Sequence, residues 1–149
     1  MDTARVRERA QAFIDALHTL EQADGDGAAE VGALVELYAD DARLTNSALR
    51  LHDEERRGRE GAREFWGEYK RTIGQGYSDF YQVAVNDQAA GLFWVTRIQA
   101  DGKGETAYDG TSLLVFGDDG RIVHFQGYYD TRQLNHAVGA GEGGSPTRP

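Results

Sequence analysis

A chain of 149 residues, 40% apolar and 28% charged, has the size and make-up of one globular domain with a single core. Its net charge of -9 and pI near 4.8 exclude the concentrated basic surface that a nucleic acid or an anionic membrane requires. With no cysteine it has no disulfide, thiolate nucleophile or cysteine-held metal.

Residues 1–10 form a charged amphipathic stretch and not a secretory leader, and no apolar run approaches the roughly 20 residues that cross a bilayer. A cytoplasmic protein is therefore expected. Val6, Ala10, Phe13, Ile14, Leu17 and Leu20 recur at helical spacing and predict an amphipathic helix over residues 3–22. Asp24-Gly25-Asp26-Gly27 stops it, and Asp26 is placed to cap a shorter second helix carrying Val31, Leu34, Val35 and Tyr38. Asp40-Asp41 ends that helix, a short strand follows over residues 43–47, and residues 47–57 read as a polar loop. Ala62, Phe65, Trp66, Tyr69 and Ile73 mark the apolar stripe of a third helix, which Gly74 and Gly76 end.

Beyond Gly76 the period changes from helical to alternating. Strands are predicted over residues 79–86, 90–101, 105–116 and 121–130, separated by Asn86-Asp87, Asp101-Gly102-Lys103-Gly104 and Gly117-Asp118-Asp119-Gly120. Helices first and a meander of long strands afterwards mean α+β. The Gly-rich residues 138–149 read as a disordered tail. The four histidines have no metal-ligand spacing, so neither a metal nor a cofactor is expected. Gly58-Arg59-Glu60-Gly61 lacks the preceding strand and the following Lys-Ser/Thr of a phosphate loop.

Two segments carry a family resemblance. One is Leu34-Val35-Glu36-Leu37-Tyr38-Ala39-Asp40-Asp41-Ala42-Arg43-Leu44 with the later Gly58-Arg59-Glu60-Gly61-Ala62-Arg63-Glu64-Phe65-Trp66. The other runs from Leu113-Leu114-Val115-Phe116 through Gly117-Asp118-Asp119-Gly120 to Phe125-Gln126-Gly127-Tyr128-Tyr129-Asp130. Together they make residues 5–137 resemble the nuclear transport factor 2-like superfamily, with its SnoaL-like polyketide cyclases, ketosteroid isomerases and limonene epoxide hydrolases. The resemblance implies a cone-shaped, curved, mostly antiparallel sheet packed against three amino-terminal helices, a cystatin-like α+β barrel with a pocket inside.

It also implies which side chains face that pocket, because alternate strand residues share a face. The inward set is Trp94, Thr96 and Ile98, then Tyr108, Gly110, Ser112 and Leu114, then Phe125, Gly127 and Tyr129. A one-residue slip at Asp101 to Gly104 would exchange the faces of one strand. The helices would add Phe13, Leu17 or His18, Tyr38, Phe65, Trp66 and Tyr69, and the short strand Asn46.

The acids of the resembled enzymes are missing. Their general base falls at Asn46, whose amide cannot accept a proton at neutral pH. Their oxyanion pair falls at Leu17 or His18 and at Ser112, and their last-strand aspartate at Gly127. The implied cavity thus holds no Asp or Glu, and steroid isomerase or epoxide hydrolase chemistry is not expected. The resulting expectation is a pocket for a small hydrophobic molecule. In it a polyketide- or terpenoid-like compound would be isomerised, cyclised or dehydrated by His18, Tyr38, Asn46 and Ser112, since neutral donors can hold developing oxyanion charge. The walls would be Phe13, Leu17, Phe65, Trp66, Tyr69, Trp94, Thr96, Tyr108, Phe125 and Tyr129.

Against this stand plainer readings: Tyr38, Trp66 and Trp94 as core aromatics, Asn46 bonding loop backbone, and His18 at the edge of its helix. The alternative function is a non-catalytic ligand-binding or dimeric interaction domain. Val95, Leu113, Val115, His124, Gln126 and Tyr128 form a mixed apolar outer face through which a homodimer is expected.

Overall fold

The computed structural model of the chain describes residues 1–100 and 104–139. Helix α1 (Thr3–Gln22) is capped by Asp2, whose carboxylate accepts from the Arg5 N–H at 2.8 Å. It buries Val6, Ala10, Phe13, Ile14, Leu17, Leu20 and also Glu21. Helix α2 (Ala28–Val35) follows, then strand β1 (Tyr38–Asn46), the one-turn α3 (Ser47–Arg50) and the two-residue β2 (Arg56–Arg57). Helix α4 (Gly58–Ile73) precedes β3 (Gly76–Val85), β4 (Ala89–Ala100), β5 (Gly104–Phe116), β6 (Ile122–Tyr129) and a last short helix α5 (Thr131–Ala137).

The six strands form one sheet in the order β2-β1-β6-β5-β4-β3. β1 pairs with β6 in parallel and every other neighbour is antiparallel. This is the expected α+β architecture, with the long helices lying across the concave face. Pairing of β4 with β5 is unbroken from Ala89↔Val115 to Ala100↔Gly104, so no slip exchanges their faces. Trp94, Thr96 and Ile98 point inward, Trp94 opposite Gly110 and Thr96 opposite Tyr108, as the alternation requires. The turn residues 101–103 lie outside the described residues, as does the tail beyond Gly139.

Three elements differ from the sequence reading. The second helix stops at Val35, and Tyr38 begins a nine-residue strand instead of ending a helix. Asp40 and Asp41 are poor strand formers and fall at the register shift between Tyr38 and Arg43, while pairing with β6 on either side of them fixes β1. The polar loop contains α3, capped by Asn46, and β2, whose Arg56 pairs with Leu44 of β1. Helix α5 was unforeseen. Asp130 starts it by accepting from the Arg132 N–H at 2.8 Å, while Thr106 and Asp109 of β5 bond to Ala137 and Gln133 beyond the point where β6 ends.

A lysine fastens the wide end. The Lys70 ammonium is buried and donates to the carbonyls of Glu21 at 3.3 Å, Ala23 at 2.7 Å and Gly74 at 2.8 Å, the closing carbonyls of α1 and α4. Burial lowers its pKa, opposed by the charges of Asp24, Glu21 and Glu30. The consequence for the site is positional: the last turn of α1 is tied to the last turn of α4.

Candidate active site

Between the sheet and helices α1 and α4 lies a cavity of about 580 Å³. Its apolar floor is an aromatic cluster. The rings of Phe13, Phe65, Trp66 and Phe125 meet at centroid distances between 4.9 and 5.8 Å, mostly edge to face. Leu17 and Phe80 extend this surface, and Trp94 stands across from it with its ring edge on Tyr108, 5.2 Å away. The cavity opens between α3, α4 and α5, past the half-buried Leu49, Leu134 and Asn135 and the exposed Arg71 and Thr72.

Of the expected site residues, Phe13, Leu17, Asn46, Phe65, Trp66, Tyr69, Trp94, Thr96, Tyr108, Ser112, Phe125 and Tyr129 all line this cavity. Two do not. Tyr38 is fully buried behind Trp66, whose indole N–H donates to its hydroxyl at 3.0 Å, and burial raises its phenol pKa far above the ordinary value. His18 points to the outer edge of α1, because Leu17 is the residue in phase with Phe13. Its ring stacks on Tyr77 at 4.4 Å, and its Nε2–H donates to the Ser78 carbonyl at 2.7 Å. Asn46 borders the cavity, but its side-chain oxygen accepts from the Leu49 N–H at 2.8 Å and caps α3.

Two acids lie close to the inner cavity expected to hold none, one at its entrance and one behind its wall. Glu68 lines the entrance, its carboxylate held by Arg56 at 3.1 and 3.2 Å. More consequential is Glu21, wholly buried one side chain behind the cavity wall. Its Oε1 accepts from the Ser78 N–H at 2.8 Å, and its Oε2 accepts from the Tyr69 hydroxyl at 2.6 Å and from the Ser78 hydroxyl. The Ser78 Oγ is in turn 2.6 Å from the Thr96 hydroxyl. Tyr69, Ser78 and Thr96 all face the cavity.

A signal for Glu21 existed in the sequence. It continues the series Phe13, Leu17 at four-residue spacing and so falls on the buried stripe of α1. A carboxylate there is expensive. It is desolvated and sits in the last turn of a helix, where the macrodipole disfavours negative charge. The donors of Tyr69 and Ser78 offset that cost.

Counting protons separates the cavity's polar groups into two kinds. A hydroxyl has one proton. Those of Tyr69 and Ser78 go to Glu21, and Thr96 must then donate to Ser78. What these three groups present to the cavity is their remaining oxygen lone pairs, the Tyr69 oxygen also having the Ser78 and Tyr108 hydroxyls as hydrogen-bond neighbours. Ser112 instead accepts from the Trp94 indole N–H at 2.9 Å, and the Tyr129 oxygen accepts from the Ala48 backbone. Their own protons have no protein acceptor among the described residues, so these two groups present donors.

Burial keeps the phenols neutral. Tyr69 is raised well above the ordinary value by desolvation first and by the charge of Glu21 second. Tyr108 is raised by desolvation, then by the charges of Tyr129 and Glu21. Tyr129 is pushed up to about 12 by desolvation. Among the described residues no cluster of three His, Asp or Glu is placed to hold a metal ion. No helix among them is long and apolar enough to cross a membrane.

A SnoaL-like domain model matches residues 10–125, most of the chain and every strand except part of β6. The protein belongs to the SnoaL-like domain family. The fold is also that of solved structures in the wider nuclear transport factor 2-like superfamily. A SnoaL-like protein of unknown function from Burkholderia thailandensis superposes with a TM-score of 0.65 at 18% identity, over 87% of this chain and 98% of its own. A nuclear transport factor 2-like protein of unknown function from Burkholderia pseudomallei gives 0.71 at 14% identity, over 90% and 97%. No curated protein matches the sequence. Within this SnoaL-like fold, the residues at the three expected acid positions are Asn46, Ser112 and Gly127, and the buried carboxylate comes from the end of the first helix.

Proposed function

We propose that the protein binds a small, largely apolar molecule with an oxygen function inside the cone, and isomerises, cyclises or dehydrates it. The observation that supports this most strongly is the division of the cavity into an aromatic floor and a wall of neutral hydroxyls. Small-molecule sites have this composition, apolar with a few convergent polar groups. A polyketide- or terpenoid-like carbonyl compound fits it, with carbon on the rings of Phe13, Trp66 and Phe125 and oxygen toward Ser112 and Tyr129.

Calorimetry with 2-tetralone and its hydrocarbon counterpart tetralin tests the reading. The ketone should bind measurably tighter, by about 1 kcal/mol for one hydrogen bond to a neutral donor. Heats of neither compound saturating at millimolar concentration would rule the pocket out as a site for this class. Binding with no chemical change in any enolisable ketone would leave a carrier rather than an enzyme.

The outer sheet face supports an assembly in the same reading. Phe93 at 36% and Tyr128 at 42% exposure stand on that face beside Val95, Leu113 and Val115. We propose that two chains pair there about a two-fold axis.

A further inference from the structure

We propose that Glu21 is the proton acceptor of this cavity, acting through Tyr69, and that the substrate is therefore an enolisable carbonyl compound whose reaction begins with loss of an α-proton. The inference rests on the ligand-binding reading above and adds to it the direction of proton flow. Three geometric facts carry it. A carboxylate is fully buried beside a cavity without touching it. The Tyr69 hydroxyl, which does line the cavity, is bonded to that carboxylate at 2.6 Å. The opposite groups, Ser112 and Tyr129, retain protons that no protein acceptor among the described residues takes up.

A ketone held with its oxygen on Ser112 and Tyr129 would turn its α-carbon toward the lone-pair side of the cavity. The α C–H bond breaks and its proton passes to the Tyr69 oxygen, while the Tyr69 proton moves to Oε2 of Glu21. The C–H electron pair becomes the enolate double bond, and the negative charge settles on the oxygen held by Ser112 and Tyr129. Return of the proton to the same or another carbon completes an isomerisation or an exchange, with no oxidant or reductant. The cavity does not reach Glu21 directly, so a hydroxyl must carry the proton; of the two that bridge them, the Ser78 oxygen is already engaged by Thr96, which leaves Tyr69. The concerted double transfer never leaves a free tyrosinate, which agrees with a phenol held neutral by burial. Tyr69 is the catalytic residue in this scheme, and Glu21 positions and drives it. Ser78 and Thr96 keep the carboxylate oriented, since Ser78 donates to it from both N–H and hydroxyl.

The test is deuterium uptake at the α-carbons of 2-tetralone in D₂O, followed by proton NMR, with binding measured separately by tryptophan fluorescence. The wild type should accelerate exchange over buffer, and both Tyr69→Phe and Glu21→Gln should lose about 100-fold of that acceleration, the usual size of one acid–base contribution. Affinity for the ketone and the near-ultraviolet circular dichroism should be unchanged, which a merely structural role would not allow. Should Glu21→Gln fail to fold, Tyr69→Phe decides alone. Saturable binding without accelerated exchange, or exchange that survives in the variants, overturns the relay and leaves the pocket intact. No binding overturns the pocket reading and the relay with it.

Discussion

Replacing Glu21 by Ala removes the acceptor of three donors at once, two from Ser78 and one from Tyr69. Unmet buried donors cost about 1–3 kcal/mol each before they find new partners. Glu21→Ala is therefore expected to lower unfolding stability by about 3 kcal/mol, and Glu21→Gln by less, since the amide oxygen still accepts. Urea denaturation of the two variants measures this. Equal stability of Glu21→Ala and wild type would mean that the network does not hold β3 to α1. Strand alternation groups Trp94 with Thr96, Tyr108 with Ser112 and Phe125 with Tyr129, and the inward phase that the family resemblance implies is the one on which these six line the cavity. Charge and polarity alone leave Glu21 and Ser78 out of the core, whereas both are buried. Glu21 is in step with Phe13 and Leu17, and a polar residue on an apolar stripe is the informative exception. Of the alternatives Leu17 and His18 the cavity takes Leu17, and Tyr38 lies outside its lining. His18 is one step out of that phase, and Tyr38 looks helical only while the parallel pairing of β1 with β6 is unseen.

The strands of this sheet make opposite demands at two glycines on the inner face. A Cβ at Gly110 of β5 would lie 2.2 Å from the Tyr128 carbonyl oxygen and 2.9 Å from the Trp94 ring. Backbone cannot yield there, so Gly110→Ala should destabilise by about 2 kcal/mol, the cost of overpacking a tight core. A Cβ at Gly127 of β6 would meet nothing closer than Phe125 at 3.6 Å and Asn46 at 3.7 Å, so Gly127→Ala should fold as well as wild type. Thermal melts of the pair check both statements. A Gly110→Ala protein melting with wild type would mean that β5 and β6 separate more easily than their register implies. Periodicity revealed α1, α2 and α4 and the strands β3 to β6, because each carries an apolar pattern over eight residues or more. It missed α3, β2 and α5 because elements of two to seven residues are held by caps and pairings, such as Asp130 on Arg132 and Arg56 opposite Leu44, which leave no period.

For the whole molecule, the buried phenols predict sensitivity to alkali. Four of the seven tyrosines, Tyr38, Tyr69, Tyr108 and Tyr129, have raised pKa values because burial disfavours their ionised form. In the unfolded chain a phenol loses its proton near pH 10. Over the interval between that value and about 12 for Tyr129, the unfolded state has fewer protons than the folded one. Stability is then fully present below about pH 10 and falls as pH rises, by linkage. Denaturation midpoints taken stepwise from pH 8 to 11 should decline, and absorbance at 295 nm should show these four phenols ionising together with unfolding. Flat midpoints across that range would mean that water reaches the phenols in the folded state.

The proposed assembly is tested at the same level. Sedimentation at micromolar concentration should give about twice the 16.4 kDa chain mass. A double Leu113→Asp, Tyr128→Asp variant should sediment as a single chain, because unpaired charge would be buried at the contact. An unchanged mass in that variant would place the contact elsewhere.

Whether the cone is a binding site is measured most directly by intrinsic fluorescence. The two tryptophans, Trp66 and Trp94, both line the cavity, so its occupancy is reported without a label. Titration with 2-tetralone should quench their emission saturably in the wild type. A Gly127→Phe variant, whose ring would project into the cavity from a position with room for its Cβ, should fold and show no saturable change. Quenching that rises linearly with ketone in both proteins, as for collisions at the surface, would contradict the assignment of this cavity as the site.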